Sequence, residues 1–296
     1  MRSGTVSIVG RPNVGKSTLL NKILNKKIAI ISNKSGTTRN LLLGVYNDDD
    51  SQIVFVDTPG IHKPVNTLGT VLNKKAYLMT SGVDVVLFVV DISKGFGKGD
   101  SFILERLKNE NAKVILLLNK IDNIKPDELI KRIDEVKELY DFLEIIPVSA
   151  IKGINVNDLV KTLKKYLPND FKYYDDNYVT NQPKGMIITE RVREKILQLT
   201  NEEIPHTVTC VLETYEEKKD LISLGVVIII DRENVKKIII GKNGSMLKKI
   251  GTEARLDLEE YFNKKVFLSL YVKVIKNWRD KEALIKSLGI EDDIDE

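Results

Sequence analysis

GRPNVGKST, residues 10–18, follows directly on the apolar run TVSIV (5–9). A core strand gains nothing from two glycines, an asparagine and a lysine in nine residues. A phosphate site does. The stretch fits G-x-x-x-x-G-K-[ST], with Gly10, Arg11, Pro12, Asn13, Val14, Gly15, Lys16 and Ser17 in order and Thr18 next. The glycines let successive backbone N–H groups wrap a phosphate chain, the lysine reaches the outer phosphates, and the Ser17 hydroxyl can bind Mg²⁺. A helix opening at Gly15 adds the positive end of its dipole. An ordinary Gly-rich turn is the bland alternative, and the strand–loop–helix context weighs against it.

Outward from this loop, short apolar runs alternate with amphipathic ones. Strands are expected at 5–9, 52–57, 84–91, 113–119 and 144–149, and helices include KSTLLNKIL (16–24) and DELIKRIDEVKELY (127–140). Continuous apolar strands with helices between them imply a mostly parallel α/β sheet with helices on both faces. Ligands of such sheets bind beyond the carboxyl ends of the strands. Chemistry is therefore expected where strands stop.

Three further stops carry it. DTPG (57–60) ends the run QIVFV. Alone it is an even match for a β-turn. Beside a phosphate loop, Asp57 can hold Mg²⁺ through water, Thr58 and Pro59 shape the turn, and Gly60 can offer its N–H to a terminal phosphate. NKID (119–122) ends KVILLL. The Asp122 carboxylate can accept from both N1–H and N2–H₂ of guanine, a donor pair that adenine lacks, and such recognition discriminates strongly. Asn119 would brace the loops, the Lys120 stem would cover the purine face, and Ile121 lies between the two readers of the base. SAIKG (149–153) ends the last strand, where Ser149, Ala150 and Ile151 bring a backbone N–H to the guanine oxygen. Between the first helix and the second expected strand lies SGTTRN (35–40), where Thr37 or Thr38 can complete the Mg²⁺ shell when a terminal phosphate is present.

The residue after DTPG is Ile61, followed by His62. Isoleucine has no polar side-chain atom and cannot orient an attacking water as glutamine does. Slow intrinsic turnover is expected. Hydrolysis then rests on Lys16, Mg²⁺ and backbone amides such as that of Gly60. The Asn13 amide oxygen, on the phosphate loop, can help coordinate a K⁺ that supplies charge as an arginine finger would. His62 is a candidate helper in a mobile loop.

Near 168 the pattern changes. PNDFKYYDDNYVTNQP (168–183) is polar, aromatic and aperiodic, a linker packed by its own tyrosines. After it comes a helix–strand–strand–helix–helix–strand order, an α+β plan, giving domains at 1–167 and 184–296. IIIGKNGSMLKKIG (238–251) carries the chemistry of this half. Gly241 and Gly244 bracket Lys242 and Asn243 between two helices, the G-x-x-G device with which KH domains clamp about four nucleotides. Residues 232–249 hold six basic groups, Lys237 and Lys248 among them, against Glu233 as the one acid. Ile238, Ile239 and Ile240 are expected to line a groove for unstacked bases. Trp278 is read as a packing residue. EDDIDE (291–296) is read as a frayed acidic tail.

Composition sets the bounds. The 296 residues suggest about two domains. The net charge of +4 is too mild to name a partner, and Cys210, the only cysteine, excludes an intrachain disulfide and a cysteine metal cage. No apolar run reaches the ~18 residues of a membrane span. The start runs straight into a strand, with no signal peptide expected, so the protein is read as soluble and cytoplasmic.

Together GRPNVGKS, SGTTRN, DTPGIHKP, NKID, SAIKG, IIGKNGSMLKKIG and YVKVIKNWR resemble, in order and over almost the whole chain, the Era family of bacterial GTPases. The resemblance implies a P-loop GTPase domain followed by a type II KH domain, binding GTP and GDP with Mg²⁺. It implies Thr38 rather than Thr37 as the metal residue and accepts a hydrophobic residue at Ile61. It also implies binding of small-subunit ribosomal RNA near its 3′ end, a role in maturing the 30S subunit, and peripheral contact with the inner membrane, by a monomer. Rival readings are a related ribosome- or tRNA-associated GTPase, which would need a further domain, and an RNA-binding adaptor whose nucleotide site is only structural.

Overall fold

The computed structural model describes residues 1–34, 37–168, 171–200, 204–288 and 290. Ser35, Gly36 and the acidic stretch 291–296 lie outside the described residues. The chain forms two compact units, one of residues 1–29, 38–64 and 69–181, the other of 30–37, 65–68 and 182–296.

The first holds β1 (Arg2–Val9), α1 (Lys16–Leu24), β2 (Leu42–Asn47), β3 (Ser51–Asp57), α2 (Thr67–Leu78), β4 (Val85–Asp91), α3 (Lys98–Asn109), β5 (Val114–Asn119), α4 (Pro126–Val136), β6 (Glu144–Val148) and α5 (Val156–Tyr166). The sheet runs β2-β3-β1-β4-β5-β6, parallel except where β2 meets β3. On β4 the odd residues Val85, Leu87 and Val89 pack into the core that holds α1 and α5. The even residues Val86, Phe88 and Val90 pack into the core that holds α3 and α4. Both faces being buried, the strands have no polar alternation, which is why they stand out as unbroken apolar runs. β2 was not among the expected strands; it is an antiparallel edge strand of only half-buried character.

Pairing sets the strand ends level. Ile8 faces Asp57, Asp91 faces Asn119, and Asn119 faces Val148. All the motifs that follow a strand therefore leave one edge of one sheet.

The expected linker is anchored to this unit along β2. Val45 N–H donates to the Val179 carbonyl (2.9 Å), Leu43 N–H to Asn181 Oδ1 (3.2 Å), and the backbone amides of Tyr173 and Tyr174 to Gln52 Oε1 (2.7 and 3.0 Å). Tyr174 and Tyr178 stack 4.5 Å apart. The segment satisfies an edge strand that would otherwise expose unpaired backbone.

The second unit holds α6 (Lys184–Leu199), α7 (Ile204–Thr207), β7 (Thr209–Glu217), β8 (Leu221–Ile230), α8 (Glu233–Ile240), α9 (Ser245–Phe262), β9 (Lys265–Val274) and α10 (Glu282–Ser287). β7 and β8 are antiparallel; β9 joins β8 in parallel after the α8–α9 crossover that parallel pairing requires. The even residues of β8 and β9 face the helices. Trp278 is fully buried and donates its indole N–H to the Thr207 carbonyl (2.7 Å), a packing role.

A strap from the N-terminal half belongs to this unit. Ile30 enters its core, Ile31 N–H donates to Glu194 Oε1 (2.8 Å), and the buried Arg193 of α6 donates to the Thr37 carbonyl. The next residue, Thr38, already counts with the first unit.

Candidate functional site

The loop 10–15 joins β1 to α1. Gly15 caps the helix at φ 104°, a conformation that side chains rarely adopt, and a Cβ there would strike the Asn119 amide. Gly60 packs as closely: its Cβ would lie 2.7 Å from the Pro12 nitrogen. The loop is thus held from below by NKID and from the side by DTPG.

Lys16 is buried, its ammonium donating to the carbonyls of Gly10 and Arg11 (both 3.1 Å). Burial pulls its pKa down to about 8, against the opposing pull of Asp57. Asp57 is fully buried at the end of β3, and burial pushes its carboxyl up to about 6 while Lys16, Ser17 and Thr38 hold it down. Ser17 Oγ donates to Asp57 Oδ2 (2.6 Å) and lies 2.9 Å from Thr38 Oγ1. Asp57 Oδ1 has no hydrogen-bond partner. Two hydroxyls and a carboxylate, one of whose oxygens is buried and orphaned, form an all-oxygen set that fits Mg²⁺, a cation that keeps several of its waters. Thr37 turns away, its hydroxyl donating to the Lys34 carbonyl (2.6 Å). The structure therefore brings Thr38, not Thr37, to Ser17.

Asn119 uses both ends of its amide. Nδ2 donates to the Val14 carbonyl (2.7 Å) and Oδ1 accepts from Ala150 N–H (3.0 Å), so one buried side chain joins the phosphate loop to SAIKG. Ser149 donates to Asp122 Oδ1 (2.6 Å), fixing that carboxylate. Lys120, at φ 68°, donates to the Asn13 carbonyl and to Asp91 Oδ2 (both 2.7 Å). Burial would push Asp91 up, but the Lys120 and Ser93 hydrogen bonds hold its carboxyl below the usual range. Asp91 was not a candidate from the sequence, although it ends β4 as the other motif residues end their strands; that position was the available signal.

Several predicted side chains build the scaffold. Val14 is core, Thr58 donates to the Ile8 carbonyl (2.8 Å), Pro59 is buried, and Arg11 pairs with the buried Asp100 (2.9 Å). Ile61 is 1% exposed and packs among α2 and α3 residues, with its N–H donating to the Gly10 carbonyl (3.2 Å). Thr18 lies in the first turn of α1 and Ile121 packs beside the α3–α4 core, whereas Ile151 is exposed. His62 is pinned by Asn73, which accepts from its N–H (3.3 Å) and donates to its carbonyl (2.6 Å), and its Nδ1 lies 3.0 Å from the Gly60 carbonyl.

In the second unit α8 ends at Ile240 and α9 begins at Ser245, with Gly241 at φ 73°, Asn243 at φ 51° and Gly244 at φ 77° between them. Lys242, Asn243, Lys237 and Lys248 are exposed. One expectation needs correction. Ile238, Ile239 and Ile240 do not share a groove face: Ile239 is fully buried in the core, Ile240 is half-buried and Ile238 is 49% exposed. Consecutive helical residues point about 100° apart, so three in a row cannot line one surface.

Comparison with known proteins agrees with both halves. Residues 5–120 match the model of the 50S ribosome-binding GTPase family, and residues 203–279 that of the KH domain. Two solved structures superpose over 98% of this chain and 99% of their own, each at 40% identity and a TM-score of 0.95. One is Era in complex with MgGDPNP and nucleotides 1506–1542 of 16S ribosomal RNA. The other is a point variant of Aquifex aeolicus Era bound to GDP and AlF₄⁻. At that identity and coverage, with a phosphate loop, a guanine-type reader and a KH unit in one chain, the protein belongs to the Era family of GTPases.

Proposed function

We propose that this protein is a GTP-hydrolysing switch that binds small-subunit ribosomal RNA near its 3′ end and assists maturation of the 30S subunit. The observation that carries the nucleotide half is the Asn119 bridge: one amide links the phosphate loop to the loop whose Ser149 fixes Asp122. Phosphate and base recognition are thereby registered to each other. The RNA half is supported by the G-x-x-G loop and by the 16S ribosomal RNA bound in the Era complex.

In this reading residues 10–18 wrap the phosphates, Lys16 neutralises charge on the outer two, and Gly60 donates its N–H to the terminal one. Asp122 reads the guanine edge, and the Lys120 stem covers its face. Ser17, Thr38 and, through water, Asp57 would hold Mg²⁺, which supplies positive charge at the bridging phosphates when bound. With Ile61 sealed in the core, no side chain orients water at that position, and turnover is slow. Asn13 assists a K⁺ ion; equal hydrolysis rates in K⁺ and Na⁺ of matched ionic strength would remove that part.

Thr38 follows a strap anchored on α6, so ordering of Thr38 by GTP is felt by a segment of the RNA-binding unit. By linkage, RNA must then tighten GTP by the same factor as GTP tightens RNA. The protein acts in the cytoplasm as a monomer with peripheral membrane contact; no described helix is long and apolar enough to cross a membrane. Phosphate release measured with and without RNA, and with ATP as competitor, tests the whole. ATP held as well as GTP would overturn the guanine assignment, and no release at all would leave an adaptor.

A further inference from the structure

The sheet of the second unit has two faces: the helices cover one, while the other is covered at Ile229 of β8, which is 5% exposed, and open along β9. The even residues of β9 pack under the helices. The odd residues, Lys265, Phe267, Ser269, Tyr271 and Lys273, stand on the other face, with Phe267 60% and Tyr271 59% exposed. Their partners on β8, from Leu221 to Ile229, are all uncharged. No acidic side chain stands on this face of either strand; across the sheet β7 brings Glu216, which pairs with Ser223, and the exposed Glu213 at the bulge between Leu212 and Thr214. Lys265 lies 4.0 Å from Glu259 of α9 and is 81% exposed.

Two aromatic rings left in water are hard to explain by folding, since burying either would stabilise the unit. Their arrangement is specific. They lie about 13 Å apart along one strand, separated on β9 only by the small side chain of Ser269, which sits beside Gly225. A lysine flanks each ring on its outer side. Rings for stacking interleaved with cations for a backbone is the pattern that holds single-stranded nucleic acid. An aliphatic protein partner would favour a continuous apolar patch without a lysine at each end. β9 is also the edge strand against which α8 packs. A strand of RNA leaving the 241–244 loop needs only to cross that edge to reach the face.

We propose that the outer face of β8–β9 is a second RNA contact, in which Phe267 and Tyr271 stack unpaired bases and Lys265 and Lys273 track the phosphates. The proposal rests on the RNA-binding reading given above, and the test separates the two. The full-length protein is titrated with an RNA comprising nucleotides 1506–1542 of 16S ribosomal RNA. Phe267→Ser with Tyr271→Ser should lower affinity about ten-fold or more. Phe267→Tyr with Tyr271→Phe, which keeps both rings, should restore it. Lys265→Gln with Lys273→Gln should flatten the salt dependence by about one to two units of slope. Gly244→Asp, in the G-x-x-G loop, serves as reference. Loss with Gly244→Asp but none with the ring variants overturns the platform and leaves the KH reading standing. Loss with neither overturns RNA binding itself. Because these β9 side chains are exposed, the thermal midpoints should match wild type. If the ring variants lose affinity only in proportion to a lowered midpoint, and the ring-keeping pair does not restore it, the platform is overturned.

Discussion

The chain turns from an element into a helix through a glycine-bracketed loop twice, and the two loops are built oppositely. Around Gly15 and Gly60 there is no spare room: Asn119 and Pro12 occupy the space that a Cβ would need. Lys16 and Asp57 are buried there at the cost of displaced pKa values. Around Gly244 a Cβ would meet nothing within 4 Å, and Lys242 and Asn243 stand in solvent. A small ligand of fixed shape rewards a rigid cradle whose donors are aligned in advance. A polymer must slide in from the side, and its clamp has to stay open. Gly241 lies between these extremes, since a Cβ there would come within 2.7 Å of Met246 Cβ.

This contrast predicts a gradient of effects. Largest is Lys16→Ala, which removes the buried ammonium of the phosphate loop: hydrolysis should fall by at least ~10²–10³-fold, seen as phosphate release, with RNA affinity in the absence of nucleotide unchanged. Next is Asp122→Asn, which replaces an acceptor by a donor facing two donors. GTP affinity should drop about a thousandfold, below the ceiling of such sites, by competition titration, while xanthosine triphosphate gains. Third is Gly244→Asp, which puts a negative charge where phosphate is expected, in open space. RNA affinity should fall ~10-fold or more, with nucleotide binding intact. Gly241→Asp would confound the same measurement with a packing clash.

A smaller effect comes from pH. Asp57 has its carboxyl pushed up to about 6 by burial. The folded state therefore takes a proton before the unfolded chain does as pH falls. Its contribution to stability in metal-free protein is present below about pH 4 and is lost as pH rises through 6. Mg²⁺ needs the carboxylate, so its affinity should be full above about pH 7 and weaken about tenfold per unit below 6, measured with a fluorescent GTP analogue. Smallest is His62→Ala. His62 is hydrogen-bonded to Gly60 and Asn73, which hold it in place, so kcat should change by about twofold or less. A loss of a hundredfold would make His62 catalytic after all.

The five parallel strands were legible because both faces of the sheet are buried, which writes each strand as an apolar run. β2 was not, since an edge strand is half polar and its pairing is decided by β3 on one side and by residues 179–181 on the other. The nucleotide motifs were legible because backbone wrapping and guanine recognition need particular residue types at fixed spacing. Asp91 was not, since a carboxylate that acts by holding Lys120 carries no spacing signature of its own. Ile239 misled because composition alone does not tell which side of α8 faces the core.

By itself, then, the sequence determined the order of the parallel strands and the phosphate loop, and pointed to the NKID and G-x-x-G loops, all of which are local in the chain. Tertiary structure brought Thr38, the threonine that the resemblance implied, to Ser17, and alone decided that residues 30–37 join the second unit and that Phe267 and Tyr271 remain in water. Each of those depends on partners far away in sequence, such as Asp57, Arg193 and the β8 register, and the choice among them is made by packing rather than by local chemistry.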